Sequence, residues 1–244
     1  MNAYPNISIV TSLIADPTRA VMLDALMSGQ MLPAGELAYI SGVSPQTASS
    51  HLSKLVKGNV IAVEQQGRHR YYRLANKEVA ELMEMIAVIS PPVQVRSLRQ
   101  SQEMKKVRHA RTCYDHLAGK LGVALTQALL HKGFIAMVSE TEFDVTAEGM
   151  EHFRLLGIDL AAMKSNRRIF AKRCLDWSER YHHIGGFLGS VIARHLFEIK
   201  WIERIEGTRA VRITEEGRNR LQEWYGIDVD TQEGHDNLYK NAHA

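Results

Sequence analysis

Apolar side chains recur every three or four residues along the first part of the chain, and the recurrences predict four helices in succession. Ile7, Val10, Leu13 and Ile14 mark the first, from about Asn6 to Ala15. Asp16 and Pro17 supply an N-cap and first helical position for the second, whose apolar face is Val21, Met22, Ala25 and Leu26 and which Gly29 ends. Pro33 opens the third, with Leu37, Ala38 and Ile40 apolar, and Gly42 closes it. The fourth has Ser44 as N-cap, Pro45 at its first position, and Ala48, Leu52 and Leu55 on one face. The pattern then changes period. Val60 to Glu64 and Arg70 to Leu74 are β-branched, apolar and aromatic, and Gln65-Gln66-Gly67-Arg68 between them is a turn, which predicts a hairpin. From Glu78 to about Ser90 the apolar positions cover most of a helix, with Leu82, Ile86 and Ile89 on one side and Met85 and Val88 on another. A helix of that kind is expected to be buried on more than one side, against its own domain and against a partner subunit.

The polar face of the fourth helix holds Gln46, Thr47, Ser49, Ser50, His51 and Lys54. Solvated helix faces favour Glu and Lys at i,i+4 spacing. Short hydroxyl and amide groups instead allow close approach to a donor and acceptor pattern, as in a DNA major groove. Alone, the face admits both readings, a solvated surface and a recognition helix. The hairpin tips the balance. Between Ser44 and Arg73 the cations are Lys54, Lys57, Arg68, Arg70 and Arg73 against the single acid Glu64, and His69 lies at the hairpin tip. A basic hairpin beside a polar helix suits phosphate anchoring next to base reading.

Four blocks carry a family resemblance: Ala15-Asp16-Pro17-Thr18-Arg19; Gly35-Glu36-Leu37-Ala38; Gln46-Thr47-Ala48-Ser49-Ser50-His51-Leu52; and Gly67-Arg68-His69-Arg70-Tyr71-Tyr72-Arg73-Leu74. Their order and spacing through about residue 90 resemble the ArsR-type winged helix-turn-helix repressors. The resemblance implies a homodimeric transcriptional regulator that usually represses and releases DNA when an effector binds. It also implies that Gln46, Thr47, Ser49, Ser50 and His51 face base edges or nearby phosphates. Lys54 would hold the backbone, and Arg68 and Arg70, with His69 beside them, would reach an adjacent groove. Many members of that family sense metals through thiolates in the helix before the recognition helix, or through His and carboxylate ligands after the wing. Here Glu36 to Ile40 contains no Cys, and Glu78 to Ser90 contains no His.

Pro91-Pro92 predicts a boundary. Beyond it, Val95, Leu98 and Val107 suggest a connecting helix whose cationic face, Arg96, Arg99, Lys105, Lys106, Arg108 and Arg111, is read as solvated. The following region repeats itself. His116-Leu117-Ala118-Gly119-Lys120-Leu121-Gly122 corresponds to His183-Ile184-Gly185-Gly186-Phe187-Leu188-Gly189, and both copies close with Gly-Ile-Asp, at Gly157 and at Gly226. Each copy reads as helix, hairpin and Thr-capped helix, an order that is winged-helix-like. The organisation expected is therefore mostly α with short β-hairpins. A winged helix-turn-helix and dimerisation domain covers residues 1–90, a basic connecting helix 91–111, and a C-terminal domain of two pseudo-repeats 112–229, before a mobile polar tail, 230–244.

The only cysteines, Cys113 and Cys174, stand at corresponding places in the copies, each in a Cys-x-Asp with Asp115 or Asp176, and each ahead of His116 or His183. If the copies face one another, these groups converge, and thiolates with imidazoles suit zinc, cobalt or copper. The candidate effector is then a transition metal or a small molecule; the competing reading makes each Cys a core hydrophobe and each His a helix cap. Cys174 with His183 also has the types of a nucleophile and base. No strained nucleophile turn, phosphate loop or acid–base constellation accompanies them, so an enzyme is not expected. With 244 residues, 45% of them apolar, two cysteines and a net charge of +3, the composition is that of a globular protein without a disulfide framework. The absence of a signal-peptide pattern and of a membrane-length apolar run points to the cytoplasm. The expected function is sequence-specific binding of a pseudo-palindromic double-stranded operator by a homodimeric repressor that an effector relieves. The alternative is a thiol-dependent metal-handling protein or enzyme carrying a winged-helix interaction module.

Overall fold

The structure is a computed structural model that describes residues 5–91, 94–95, 97–162 and 170–229. The tail expected from Asp230, with Pro92 and Arg96, lies outside the described residues. The chain divides after Ser90 into two units, the short segment Glu206–Arg209 grouping with the first.

The first unit runs α1 (Ile7–Ile14), α2 (Pro17–Leu26), β1 (Leu32–Pro33), α3 (Ala34–Ser41), α4 (Pro45–Lys57), β2 (Ile61–Gln66), β3 (His69–Leu74) and α5 (Lys77–Ile89). Side-chain caps start three of the helices. Asp16 Oδ1 accepts from the Arg19 N–H at 2.9 Å, Ser44 Oγ from Thr47 at 3.2 Å and Asn76 Oδ1 from Val79 at 3.0 Å. Gly42 adopts the left-handed conformation, φ 67°, that ends α3 and turns the chain into α4. Ala48, Leu52 and Leu55 are fully buried on the inner side of α4, and Met22, Leu23 and Leu26 of α2 and Leu37 of α3 are buried as well. On α2 the inward stripe is Arg19, Met22, Leu23 and Leu26, and Val21, expected inside, is exposed. The spacing of 0, 3, 4 and 7 from Arg19 defines one helical face, and Val21 falls off it.

The wing is β2 and β3, joined by Gly67 and Arg68 and paired in register from Ile61↔Leu74 to Gln66↔His69. A strand the pattern did not predict, β1, adds Leu32 and Pro33 against Tyr72 and Tyr71. At an edge of the sheet order β1-β3-β2, the missing N–H of Pro33 is tolerated. Helix α5 carries an exposed apolar face in the single chain. Only Ala80 and Glu84 are buried, while Leu82, Met85 and Ile89 are 40%, 62% and 80% exposed. One face of α5 meets its own unit.

The second unit begins with α6 (Leu98–His109), whose Arg99, Lys105, Lys106 and Arg108 are exposed. It continues β4 (Arg111–Cys113), β5 (His116–Ala118), α7 (Gly119–His131), β6 (Ile135–Met137), β7 (Glu142–Val145) and α8 (Ala147–Leu155). Then follow β8 (Ala171–Leu175), β9 (His182–Gly185), α9 (Gly186–Glu198), β10 (Ile202–Arg204), β11 (Val211–Ile213) and α10 (Glu215–Tyr225). The order hairpin, helix, two strands, helix thus occurs twice. Thr146 and Thr214 cap α8 and α10, accepting from Gly149 at 3.0 Å and Gly217 at 2.9 Å. Those glycines admit no side chain: a Cβ would stand 1.8 Å from the Phe134 carbonyl oxygen and 1.9 Å from that of Trp201. Leu129, Phe153, Leu188, Leu196 and Leu221 lie in a single core cluster shared by both sets of elements.

Three expectations for this unit are corrected. His116 and His183 lie on strands, not at helix starts; helices α7 and α9 begin after them, at Gly119 and Gly186, which take φ of 73° and 74°. Beyond short hairpins there is a four-stranded antiparallel sheet, β6-β7-β8-β9, in which Phe143 pairs with Ala171. Finally, Arg111 is no part of a solvated cationic face: it is fully buried on β4, two residues past the end of α6.

Candidate functional site

Two groups of polar side chains stand out, one exposed and one buried. The exposed group is the outward face of α4 with the tip of the wing. Gln46, Thr47, Ser49, Ser50 and Lys54 are exposed there, as are Arg68, His69 and Arg70 on the hairpin. The hydroxyls of Thr47 and Ser49 make only local bonds, to Ser44 Oγ at 2.9 Å and to the Pro45 carbonyl at 2.9 Å. Among the wing cations Arg73 is neutralised by Glu64 at 2.8 Å. Lys54, Arg68 and Arg70 form no ion pair among the described residues, so their charge faces solvent. His51 behaves differently from the expectation. Its side chain is 16% exposed, and Nδ1 lies 3.4 Å from Arg19 Nη1 and 3.6 Å from Asp16 Oδ1. Arg19 in turn donates to the carbonyls of Leu13 at 2.6 Å and Ser12 at 2.9 Å. This contact ties α4 to the start of α2 and turns the imidazole away from an external partner. The Arg19 N–H, together with the Arg19 and His51 charges, holds Asp16 below the ordinary carboxylate value against its partial desolvation.

The buried group joins all six residues singled out in the second half. Cys113 pairs across β4–β5 with His116, and Cys174 pairs across β8–β9 with His183. The two hairpins bring the pairs together: one ligand-type atom from each of Cys113, His116, Cys174 and His183 lies within 4.8 Å of the others. The Sγ atoms are 4.0 Å apart, and the imidazole centroids 5.1 Å. Asp115 and Asp176 stand behind the imidazoles. His116 Nδ1 is 3.1 Å from Asp115 Oδ1, and His183 Nδ1 is 3.4 Å from Asp176 Oδ2.

Asp176, fully buried, is also a structural hub. Its Oδ1 accepts from the Ser178 N–H at 2.9 Å, the Ser178 hydroxyl at 2.7 Å and the Glu179 N–H at 3.1 Å. Its Oδ2 accepts from the Gly119 N–H at the start of α7, at 2.7 Å, and pairs with Arg111 at 2.9 Å. Arg111 further donates to Ser178 Oγ at 3.0 Å, and its guanidinium lies 4.4 Å from the Trp177 ring centroid. The electrostatics follow from these contacts. Burial disfavours the charged form of His116, but Asp115 and Cys174 outweigh it and push its pKa up to about 9. Burial likewise opposes charge on His183, and Cys174 with Asp176 raises it nonetheless. Hydrogen bonding from Cys113, against desolvation and with help from both imidazoles, takes Cys174 well below a normal thiol. Asp176, which burial alone would raise, is held well below the carboxylate range by His183, Arg111 and Ser178.

Comparison with known proteins bears on the first group. A helix-turn-helix domain family matches residues 14–64. The uncharacterized HTH-type transcriptional regulator YdfF of Bacillus subtilis is 45% identical over 225 residues, covering 92% of this chain and 99% of that protein. This chain belongs to the HTH-type transcriptional regulators. The regulator is also 38% identical over 65 residues to the transcriptional repressor SdpR of the same organism, covering 27% of this chain and 71% of SdpR. Among solved structures, it resembles the homodimeric winged helix-turn-helix DNA-binding domain of a possible ArsR-family regulator from Mycobacterium bovis. That likeness has 25% identity and a TM-score of 0.32, over 36% of this chain and 89% of that one. The helix-turn-helix family match and the 45% identical relative make the regulator a DNA-binding transcription factor, and its own α3–α4 followed by the β2–β3 hairpin give the N-terminal unit the winged helix-turn-helix form that the four sequence blocks implied. None of its described helices is long and apolar enough to cross a membrane.

Sequence reasoning missed two parts of the regulator's buried group. Arg111 was read with the cations before it, and its i,i+3 spacing from Arg108 offered no signal that it belongs instead to the strand that carries Thr112-Cys113. Gly185 was seen only as a match to Ala118. A Cβ there would stand 3.2 Å from His116 Nε2 and 3.4 Å from Cys174 Cβ, so the glycine keeps the space around both clear.

Proposed function

We propose that the protein is a homodimeric repressor that reads a pseudo-palindromic double-stranded operator and releases it on a signal received by its second unit. The observation that carries the DNA reading is the outward face of α4, whose small polar groups stand exposed beside cations left without an internal partner. Gln46, Thr47, Ser49 and Ser50 read base edges; Lys54, Arg68, His69 and Arg70 hold phosphates or a neighbouring groove. His51 supports the position of α4. The exposed apolar side chains of α1 and α5, Ile7 and Ile9 with Leu82, Met85 and Ile89, are the surface offered to a second copy. A two-fold dimer would present its helices to half-sites about one helical turn apart.

The second unit is a duplicated module, a reading supported by the recurring element order, the matched Thr caps and the matched Cys–His pairs. Its cluster is the entry point of the signal, the protein acts in the cytoplasm, and no reaction is assigned to it. The test is binding to DNA upstream of the protein's own gene. Sequence-selective binding lost on Gln46→Ala or Ser50→Ala is expected; indifference to sequence would overturn the proposal. The buried Cys–His group keeps a second reading in view, a thiol-dependent metal-handling protein with a winged-helix interaction module. Stoichiometric metal in a protein that binds no DNA would favour it.

A further inference from the structure

We propose that Cys113, His116, Cys174 and His183 form a closed, four-coordinate site for a zinc-class divalent ion, bound through both thiolates and both Nε2 atoms. The inference rests on the reading of the cluster as the second unit's functional site and names the ligand it takes. Its first support is an unsatisfied pair of atoms. The Nε2 atoms of His116 and His183 are buried without a hydrogen-bond partner among the described residues. A buried imidazole nitrogen left in that state is costly, and a metal satisfies it directly.

Orientation is the second support. His116 Nδ1 hydrogen-bonds Asp115 Oδ1 at 3.1 Å, and His183 Nδ1 lies at ion-pair distance, 3.4 Å, from Asp176 Oδ2 without a hydrogen bond. Metal-ligating histidines carry this arrangement, because the carboxylate fixes the tautomer that leaves Nε2 as the donor. Size is the third. Bonds of about 2.3 Å to sulfur and 2.0 Å to nitrogen place the donors of a tetrahedral site roughly 3.3–3.8 Å apart. The present spread of up to 4.8 Å, with the sulfurs 4.0 Å apart, closes to that by shifts within about an ångström.

Charge is the fourth. A dication with two thiolates is a neutral centre, so loading places no net charge in the buried cluster. The protons held by the thiols and imidazoles pass to solvent as the metal enters. Two sulfur and two nitrogen donors in a tetrahedron select zinc over the harder magnesium and calcium. All four positions are filled from the protein, so no vacant position remains for a substrate water, and the ion acts as a clasp. It joins two hairpins, β4–β5 and β8–β9, from the two halves of the unit, and through Asp176 it bears on the start of α7.

The full-length reduced protein is titrated with Zn2+ and, as a spectroscopic probe, with Co2+. One ion per chain is expected, with the visible ligand-field bands of tetrahedral cobalt and near-ultraviolet sulfur-to-cobalt charge transfer. The charge-transfer band should fall in Cys113→Ser and in Cys174→Ser. Asp115→Asn, which alters a half-exposed carboxylate behind His116, should weaken binding about 10–100-fold with tetrahedral bands retained. Should the cysteine variants fail to fold, X-ray absorption of the zinc-loaded wild type reads two sulfur and two nitrogen neighbours directly. Failure of the folded, reduced protein to bind one ion per chain, an octahedral cobalt spectrum, or an absorption spectrum without sulfur neighbours would each overturn the site. Operator binding is measured on the same preparations. Loss of DNA reading with metal binding intact sinks the repressor proposal alone, and operator binding without metal sinks the metal site alone.

Discussion

The outward face of α4 and the cluster around Asp176 are both rich in hydrogen-bonding side chains, and they satisfy them in opposite ways. On α4 the groups are exposed, and Lys54, Arg68 and Arg70 hold no counter-ion among the described residues. Water solvates them at little cost, and they stay available to an external partner. Around Asp176 the carboxylate, the Arg111 guanidinium and the His183 imidazole are withdrawn from solvent, so their partners must come from inside the chain, and Arg111 Nε and both His183 nitrogens make no hydrogen bond among the described residues. What remains unmatched is therefore informative in both places, but for different reasons. On the proposed reading the unpaired surface charge is offered to DNA, whereas the unpaired interior nitrogens of His116 and His183 are offered to a metal ion.

The contrast predicts a large asymmetry in stability. Asp176→Ala leaves Arg111 as an uncompensated buried charge and should destabilise the second unit by about 3–5 kcal/mol, read by chemical denaturation. Within α4 itself, Leu52→Ala, on the fully buried side, should cost about 2–5 kcal/mol. Gln46→Ala, on the outward side, should leave stability within about 0.5 kcal/mol and reduce discrimination between operator and mismatched DNA by about 1–3 kcal/mol. If the outward substitution unfolds the protein, or leaves discrimination intact, the division of α4 into a structural and a reading face is wrong.

Arg70→Ala sharpens the division between reading and anchoring. It should weaken binding to all sequences alike and lower the slope of log affinity against log salt by about 1, measured by fluorescence anisotropy at several salt concentrations. The matched caps test the likeness of the two halves. Thr146→Ala and Thr214→Ala should each destabilise by about 1 kcal/mol, and a large inequality would argue against equivalent roles.

The smallest effect concerns His152, stacked on Phe134 with centroids 4.0 Å apart and 3.0 Å from the Tyr225 hydroxyl. Burial, with the nearby Lys132 charge, lowers its pKa below the ordinary 6.5. The fold holds the neutral ring, so the unfolded chain takes up the proton first as pH falls. Stability from this group is full above about 6.5 and declines below it. Replacing His152 by Gln should remove that part of the acid sensitivity, seen as a shallower stability profile between wild type and variant.

Much of the first unit was legible because its signals are local. Asp16-Pro17 and Ser44-Pro45 cap helices wherever they occur, and Ala48, Leu52 and Leu55 declare an inward face by spacing alone. The wing followed from a change of period around Gly67-Arg68. Where the reading slipped, a longer-range contact had intervened. Val21 was expected inside because it is apolar, but the face of α2 is set by Met22, Leu23 and Leu26. His51 lies on the polar side of α4, yet Asp16 and Arg19 draw it inward, and no spacing within α4 encodes that. In the second unit, a competing reading made His116 and His183 caps at helix starts. Cross-strand pairing with Cys113 and Cys174 made them strand residues.

By itself the sequence determined the helix-turn-helix with its basic wing and the positions of the caps, and it showed a Cys-x-Asp followed by histidine at both Cys113 and Cys174. These are properties of neighbours within one or two turns, where propensity, capping and periodicity act. The tertiary structure decided which polar groups are left facing solvent and which are enclosed. It brought two hairpins, about sixty residues apart in sequence, to within 4.8 Å at four side chains. It also took Arg111 from an apparent cationic surface and made it the buried partner of Asp176. Burial and long-range pairing are collective outcomes of packing, and the electrostatic character of a cysteine or histidine depends on them more than on its place in the chain.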